Sequence, residues 1–231
     1  MGPKPALFAG AAAILVAIAV AAVAIPSLWA ASVALPSWNS IAEMRSGRDV
    51  SRTDAAAAAA ANIRAGRIFE PGRYYSDAAL AAGRLPSADR ARLADGTSLR
   101  RLVDDALVVG PTSPHNWARR AQLQLDAGDL AGARASLEAS LLMGRFVPGL
   151  TVPRLRIILH LLQLKPDGDL DGYFVDQVRI AARNEPNKLA VFADGGAAEG
   201  RTQKILLSEF RLYDAYIRAL IAKRAMDKQA R

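Results

Sequence analysis

The sequence predicts an all-α protein with one membrane-spanning helix, and three observations carry that class. Residues 6–25 (ALFAGAAAILVAIAVAAVAI) contain no polar side chain. Beyond residue 40, apolar residues recur at helical spacing, and no five-residue alternating β-branched run is bounded by turn residues. The composition, 52% hydrophobic and 23% charged over 231 residues, is that of a packed chain and excludes wholesale disorder. At about 100 to 200 residues per domain, this gives one domain plus an appendage. The expected division is an N-terminal segment 1–25, a juxtamembrane linker 26–50 and a helical domain 51–231.

Taken in order, residues 6–25 would span about 30 Å at 1.5 Å per residue, the thickness of a bilayer's hydrocarbon core. The alternative is a cleaved secretory signal, since Ser32-Val33-Ala34 offers small residues for a peptidase. The apolar region of a signal is usually about 7 to 15 residues, however, and this one is longer. Basic residues flank the span on both sides, Lys4 before it and Arg45, Arg48 and Arg52 about 20 residues or more beyond, so the charge rule leaves both orientations open and the form of a bacterial signal anchor sets the expectation. The expectation is a short cytoplasmic N-terminus and an exported C-terminal domain. Within the span, Ala9, Ala13, Ala17 and Ala21 form a small-residue ridge that suits close helix approach in lipid, unless alanine is merely abundant there. Trp29 and Trp38 follow, with amphipathic rings suited to the membrane interface or to packing on the first helices.

Ser51-Arg52-Thr53-Asp54 offers a capping box before the alanine run 55–61, with a stop expected near Gly66. A short helix fits 75–83, and another fits 87–109, broken near Gly96 and closed by Gly110-Pro111. Ser113-Pro114 opens a helix to about Ala127. Gly128-Asp129 turns the chain, and 130–143 makes the return helix.

That pair carries a motif. Trp117, Ala121, Gly128, Asp129, Ala133 and Leu137 fall at the spacings of a helical hairpin in which small residues let two helices approach and bulky ones fill the space to neighbours. The unit, residues 114–147, resembles a tetratricopeptide repeat. Arg120 and Gln124 depart from the pattern at positions that are usually apolar or aromatic. One period back, Leu99, Val103 and Ala106 would form a preceding half unit, whereas one period forward falls on Asp167 and Asp171, which do not suit buried positions. The resemblance implies a scaffold that binds protein partners by surface complementarity.

The remaining motifs are weaker as chemistry. Residues 151–164 (TVPRLRIILHLLQL) are apolar on nearly every side, so a helix buried between neighbours is expected, with His160 as a packing residue. His115 reads as a helix-start residue. Asp167, Asp169, Asp171 and Gly172 imitate the first half of a calcium loop, but Val175 and Val178 stand where its later ligands belong. A helix 172–183 with an aspartate N-cap is the expectation. Residues 195–200 lack the phosphate-loop spacing and read as a plain loop. A terminal helix 202–228 should dock through Leu206, Phe210, Tyr213, Ile217 and Leu220, with Lys204, Arg211 and Arg218 as a candidate basic contact face on another side.

Cysteine is absent, which excludes disulfide frameworks, cysteine–zinc sites, iron–sulfur clusters and thiol nucleophiles. With two histidines and no acid–base or nucleophile pairing in view, the reading is a binding protein without cofactor, metal or catalytic residue, not an enzyme. The net charge is +8, but residues 121–200 carry eight bases and ten acids, so the basicity is not continuous. That argues against nucleic acid, and nothing points to a small-molecule substrate. The expected function is a single-pass scaffold or adaptor in the bacterial inner membrane, its helical domain periplasmic and its partners membrane or envelope proteins. Isolated degenerate repeats resemble those beside exopolysaccharide synthesis and export machinery. An accessory subunit of an inner-membrane complex is the alternative, and an envelope enzyme with carboxylates meeting in space stands third.

Overall fold

The computed structural model describes residues 5–90, 93 and 96–229, with side chains from residue 12 onward except that of Ala197. The chain forms two compact units, Met1–Pro111 and Thr112–Arg231. Every regular element among the described residues is helical, as the periodicity predicts.

The first unit begins with α1 (Pro5–Ala34), which runs unbroken through Pro26. It is long and apolar enough to cross a membrane, by length and composition. A 3₁₀ turn (Leu35–Ser37) leads into α2 (Trp38–Ser46), which ends at Gly47 in the left-handed region, φ 83°. Residues 26–50, expected as a linker, are mostly helical, and one face of them, Ala30, Ile41 and Met44, is buried. Helix α3 (Arg52–Ile68) follows, with Ser51 as N-cap: its Oγ accepts from the Asp54 amide at 3.1 Å. The alanine run makes α3 narrow, and Ala55, Ala58, Ala59 and Ala65 are buried. Helix α4 (Pro71–Gly83) packs on it, and Ala78, Ala79, Ala81 and Ala82 of α4 are also buried. Side chains this short let two backbones approach closely and lose no rotamer entropy in doing so. At Gly66 the approach is tighter still, since a Cβ there would stand 2.6 Å from Tyr75 Cε1.

The segment expected as one helix over 87–109 is divided, as Gly96 suggests. A short α5 (Ser87–Arg90) is separated from α6 (Leu99–Val109), and Gly96 itself has φ 68°. Ser98 caps α6 by accepting from the Arg101 amide at 3.1 Å. Helix α6 packs against α4, so Val103 and Ala106, both 0% exposed, bury against that neighbour.

The second unit opens with α7 (Pro114–Asp126) and α8 (Leu130–Met143), an antiparallel hairpin. Helix α9 (Thr151–Leu164) packs on both. It differs from expectation in exposing one stripe, Pro153, Arg156, His160 and Gln163. Those positions recur at helical spacing and hold its less apolar side chains, so His160 faces solvent and is not a core residue. Helix α10 (Gly168–Asn184) starts earlier than expected because Asp167, not a later aspartate, is its N-cap, accepting from the Asp169 and Leu170 amides.

Two further expectations are corrected beyond α10. Residues 186–193 form α11 (Pro186–Ala193), and the expected loop at 195–200 lies mostly within α12 (Gly196–Leu206). Gly195 and Gly196, at φ 90° and 69°, make the turn, and Glu199 accepts from the Gly195 amide at 3.1 Å, which caps the new helix. The expected single terminal helix is broken at residues 207–209, so α13 (Phe210–Gln229) begins in a new register. The stripe changes accordingly: Leu206 and Leu220 are buried, but Phe210 is 80% exposed and Tyr216, not foreseen, is 0% exposed. The core of this unit gathers Leu137, Leu155, Phe174, Val178, Leu189 and Tyr216.

Candidate functional site

The features that bear on function are the exit of α1 from the first unit, the α7–α8 hairpin and the charged clusters of the second unit.

From Ala12 to Trp29 no residue of α1 is buried, and large side chains such as Leu15, Ile18 and Val23 are exposed. At Ala30 this changes abruptly to 0% exposure. Ala30, Ala65 and Tyr74 form one cluster, with Val33, Ala34, Ile68 and Phe69 packed around it. One step farther along, buried Asn62 donates through Nδ2 to Ser37 Oγ at 2.9 Å and to the Ala58 carbonyl at 2.9 Å. Ser37 Oγ in turn donates to the Ala34 carbonyl at 2.7 Å. A buried amide with its donors satisfied joins the long helix to the domain as part of one hydrophobic core. The sequence signal was available: Asn62 is the polar residue that interrupts the buried face of an alanine-rich helix. Trp29 and Trp38 are 64% and 62% exposed, so neither is a packing residue. Ala13 and Ala17 are exposed and Ala21 is half-buried, while the side chain of Ala9 lies outside the described residues.

In the α7–α8 hairpin, Ala121, Ala133 and Leu137 are each 0% exposed. Gly128 turns the chain at φ 78° and Asp129 caps α8, its Oδ1 accepting from the Gly132 amide at 2.9 Å. Trp117 is half-buried beneath the Arg120 guanidinium, 5.5 Å from its ring centroid. The two departures from the repeat pattern thus have a physical place. Arg120 stacks on the tryptophan, and Gln124 accepts from Ser136 Oγ across the hairpin at 2.6 Å.

Among the described residues Arg154 is the largest fully buried side chain, and it was not foreseen. It donates through Nε to Ser140 Oγ at 3.0 Å, through Nη1 to the Gly144 carbonyl at 2.7 Å, and through Nη2 to the Ser140 carbonyl. Those carbonyls belong to the end of α8, where backbone acceptors lack intrahelical donors and the helix dipole favours a cation. Burial pushes the guanidinium down to about 10, which leaves it charged at neutral pH.

The three aspartates of the half calcium motif are engaged by arginines. Asp167 pairs with Arg134, Asp169 lies 3.3 Å from Arg134, and Asp171 lies 2.9 Å from Arg201. The Leu170 amide, then Arg134, hold the Asp167 carboxyl below its usual range. Among the described residues no group of three His, Asp or Glu side chains stands close enough to hold a metal. A second cluster centres on Asp194, paired with Lys223 at 2.5 Å and Arg224 at 2.9 Å, while Arg224 also reaches Glu199 at 3.0 Å. Lys223 first, then Arg224, hold the Asp194 carboxyl low. This network ties the end of α11 to α12 and α13.

Lys204, Arg211 and Arg218 are all exposed, but the break at 207–209 puts Lys204 on a different helix from the other two, and Arg218 pairs with Asp214 at 2.6 Å. A groove of about 620 Å³ in the first unit has an apolar floor of Ala56, Ala60, Leu85 and Leu93 and one ion pair, Arg52 with Asp89. Its described polar lining is that pair together with Thr53. No family model, no curated protein and no solved structure matches the chain.

Proposed function

We propose that this protein is a membrane-anchored helical scaffold whose domain lies on the exported side of a bacterial inner membrane and binds protein partners there. One observation carries the anchor: α1 leaves its exposed apolar stretch and enters the domain core within one turn, at Ala30. Cleavage after Ala34, where small residues would suit a signal peptidase, would strip Ala30, Val33 and Ala34 from Ala65, Ile68, Phe69 and Tyr74. A segment that completes the core is retained more readily than one that merely leads the chain. The partner-binding reading is supported by the tetratricopeptide-like α7–α8 unit, with its buried Ala121 and Ala133. Exopolysaccharide assembly is the pathway we place first, by the resemblance of isolated degenerate units. The partners would be envelope proteins recognised by surface complementarity, without catalysis.

A phosphatase fused after Arg231 tests the orientation. Activity supports export of the domain, whereas an inactive phosphatase together with an active cytoplasmic reporter at the same site would reverse it. Sodium carbonate extraction tests the anchor: the full-length chain should stay with the membrane, and a shortened, extractable chain would replace the anchor by a cleaved signal. Pull-down from mild detergent should bring down other membrane or envelope proteins, and enzymatic turnover by the purified protein alone would overturn the scaffold reading.

A further inference from the structure

Helix α1 and its continuation into α2 are apolar on more sides than the first unit uses. Past Trp29 one face turns inward: Ala30, Ser37, Ile41 and Met44 are buried, and Val33 and Ala34 join the cluster with Ala65, Ile68 and Phe69. The opposite face stays open. Leu28, Leu35 and Trp38 are 72%, 60% and 62% exposed, and Ala31 and Ala42 are exposed with them. These positions fall on two seven-residue series, 14, 21, 28, 35, 42 and 17, 24, 31, 38, which put Ile14, Ala17, Ala21 and Ala24 of the span on the same stripe. No residue of either series is buried. Ser27, Ser32, Ser37, Asn39 and Ser40, the polar side chains between residues 26 and 42, all lie outside both series. The 3₁₀ turn Leu35–Ser37 keeps Leu35 and Trp38 on one side, since residues three apart eclipse in that geometry. Two apolar positions three apart, repeated every seven, form the seam of a left-handed pair of helices.

Lipid tails do not reach the outer half of that stripe. The chain turns from α3 into α4 at Phe69 and Glu70, and Phe69 packs with the cluster around Ala30. Glu70 is exposed there, with φ 49°. Neither a carboxylate nor a non-helical turn open to lipid belongs in hydrocarbon, so the hydrocarbon core ends at about the level of Ala30. At 1.5 Å per residue, Leu35 and Trp38 stand about 8 and 12 Å farther out. The headgroup layer adds only about 5–8 Å on each side. Trp38 therefore clears the bilayer, and Leu35 lies at its outer margin.

We propose that this stripe is covered by the same stripe of a second copy, in a parallel two-fold pair. The membrane selects that occupant. Two copies inserted in the same direction hold their stripes at the same height, so Leu28, Leu35 and Trp38 each meet their own counterpart with the register already set. Charge permits the contact: residues 5–42 carry no acid or base, and Arg45, next in the series, is held by Asp77 of α4 at 2.6 Å. Area decides how the pair is held. From Leu28 outward the stripe buries roughly 300 Å² per copy, under half of the about 800 Å² per partner of a stable soluble interface. The remainder comes from the span, where Ala17, Ala21 and Ala24 let the two helices continue their contact in lipid, and from confinement to one membrane, which raises the effective concentration. The pair is thus a property of the anchored chain, and this inference rests on the anchor reading. Its consequence is a scaffold that presents its partner-binding surface twice.

The cysteine-free sequence makes the test direct. Leu28→Cys, Leu35→Cys and Trp38→Cys, one at a time in the full chain, are oxidised in isolated membranes with copper phenanthroline. Ala57→Cys, exposed on α3, gives the rate of chance collision. A symmetric seam brings each stripe cysteine against its own counterpart, so the linked dimer should form about tenfold faster at 28, 35 and 38 than at 57. Light scattering of the unaltered full chain in mild detergent should give a dimer. The double variant Leu35→Glu, Trp38→Glu should give a monomer with an unchanged melting curve, since both side chains are exposed within one copy. Stripe rates equal to that at 57, in a chain that resists carbonate extraction, overturn the pair and leave the anchor standing. So does a double variant that remains a dimer, a monomer whose Trp38 fluorescence is quenched by brominated lipid, or a link at position 35 to a protein of another mass with none to itself. A chain released by carbonate overturns the anchor and the pair together.

Discussion

Arg154 offers the sharpest test of how the second unit is held together. Its guanidinium caps the end of α8 through the Ser140 and Gly144 carbonyls, and Ser140 Oγ, which also accepts from it, donates to the Pro114 carbonyl at 2.7 Å. One side chain of α9 thereby joins the start of α7 to the end of α8. Arg154→Met keeps most of the aliphatic stem and removes the donors. Ser140 Oγ keeps its bond to Pro114 and the Arg145 carbonyl, 3.3 Å from the guanidinium, keeps the Gln177 donor, but the Ser140 and Gly144 carbonyls lose a charged donor, at about 1–3 kcal/mol each if they stay dry. Against that stands the relief of no longer burying a charge, which can reach several kcal/mol. Because the acceptors remain when the donor leaves, the loss should win, with a net destabilisation of about 3 kcal/mol. Arg154→Ala adds a cavity and should cost about 1–2 kcal/mol more. For a unit of this size the Met variant should melt about 10 °C lower. Thermal and urea unfolding of the full chain in micelles, followed by circular dichroism, measure both variants. A Met variant within about 0.5 kcal/mol of the parent would show that desolvation of the guanidinium cancels its bonds, and the cap would then contribute nothing to stability.

Three further outcomes follow from the same structure. Ala121→Leu or Ala133→Leu should overpack the α7–α8 interface and cost about 1–3 kcal/mol, because both sites are 0% exposed; neutral melts at both would remove the basis for the close hairpin. Gly132→Ala should destabilise, although alanine is the better helix former by about 1 kcal/mol, because its Cβ would collide with the capping Asp129 carboxylate and stand 2.5 Å from Gln124 Nε2; a higher melting temperature would mean that the cap yields without loss. Asp167 and Asp194 have carboxyls held below their ordinary range. So does Glu185, where burial alone would raise the carboxyl but Lys188 and the Gly149 amide prevail. Such groups bind fewer protons folded than unfolded, so their stabilisation is full above their unfolded values, near pH 4, and is lost as pH falls through the lower folded values. Unfolding free energy should therefore fall from about pH 4 downward, and Asp194→Asn should flatten that fall; an unchanged slope would separate Asp194 from acid stability.

Features that depend on neighbouring residues were legible in the sequence by itself. Ser51, Ser113 and Asp129 announce helix starts because capping is a contact between residues two or three apart. The α8 and α9 boundaries follow from periodicity, and the apolar part of α1 follows from an unbroken apolar run, though not its continuation through Pro26 to Ala34. Periodicity misled where one local pattern served two structures. The step from Leu206 to Phe210 keeps a helical spacing, yet the chain turns between them, and Glu209 pairs with Arg179 at 2.6 Å, an ion pair across thirty positions. Gly195 and Gly196 looked like loop because glycine is a poor helix former, while the cap from Glu199 that starts α12 there is visible only once the turn is folded. What the tertiary structure alone decided is proximity between distant segments. Arg154 sits in an apolar run as an apparent misfit until the end of α8 supplies its oxygens. The end of α3 lies about forty positions beyond the apolar run, yet antiparallel packing of α3 on α1 sets Ala65, Ile68 and Phe69 against Ala30, Val33 and Ala34. Helix periodicity records which side of a segment is buried; the partner that buries it is chosen by the packing of the whole chain, and function at a surface follows that choice.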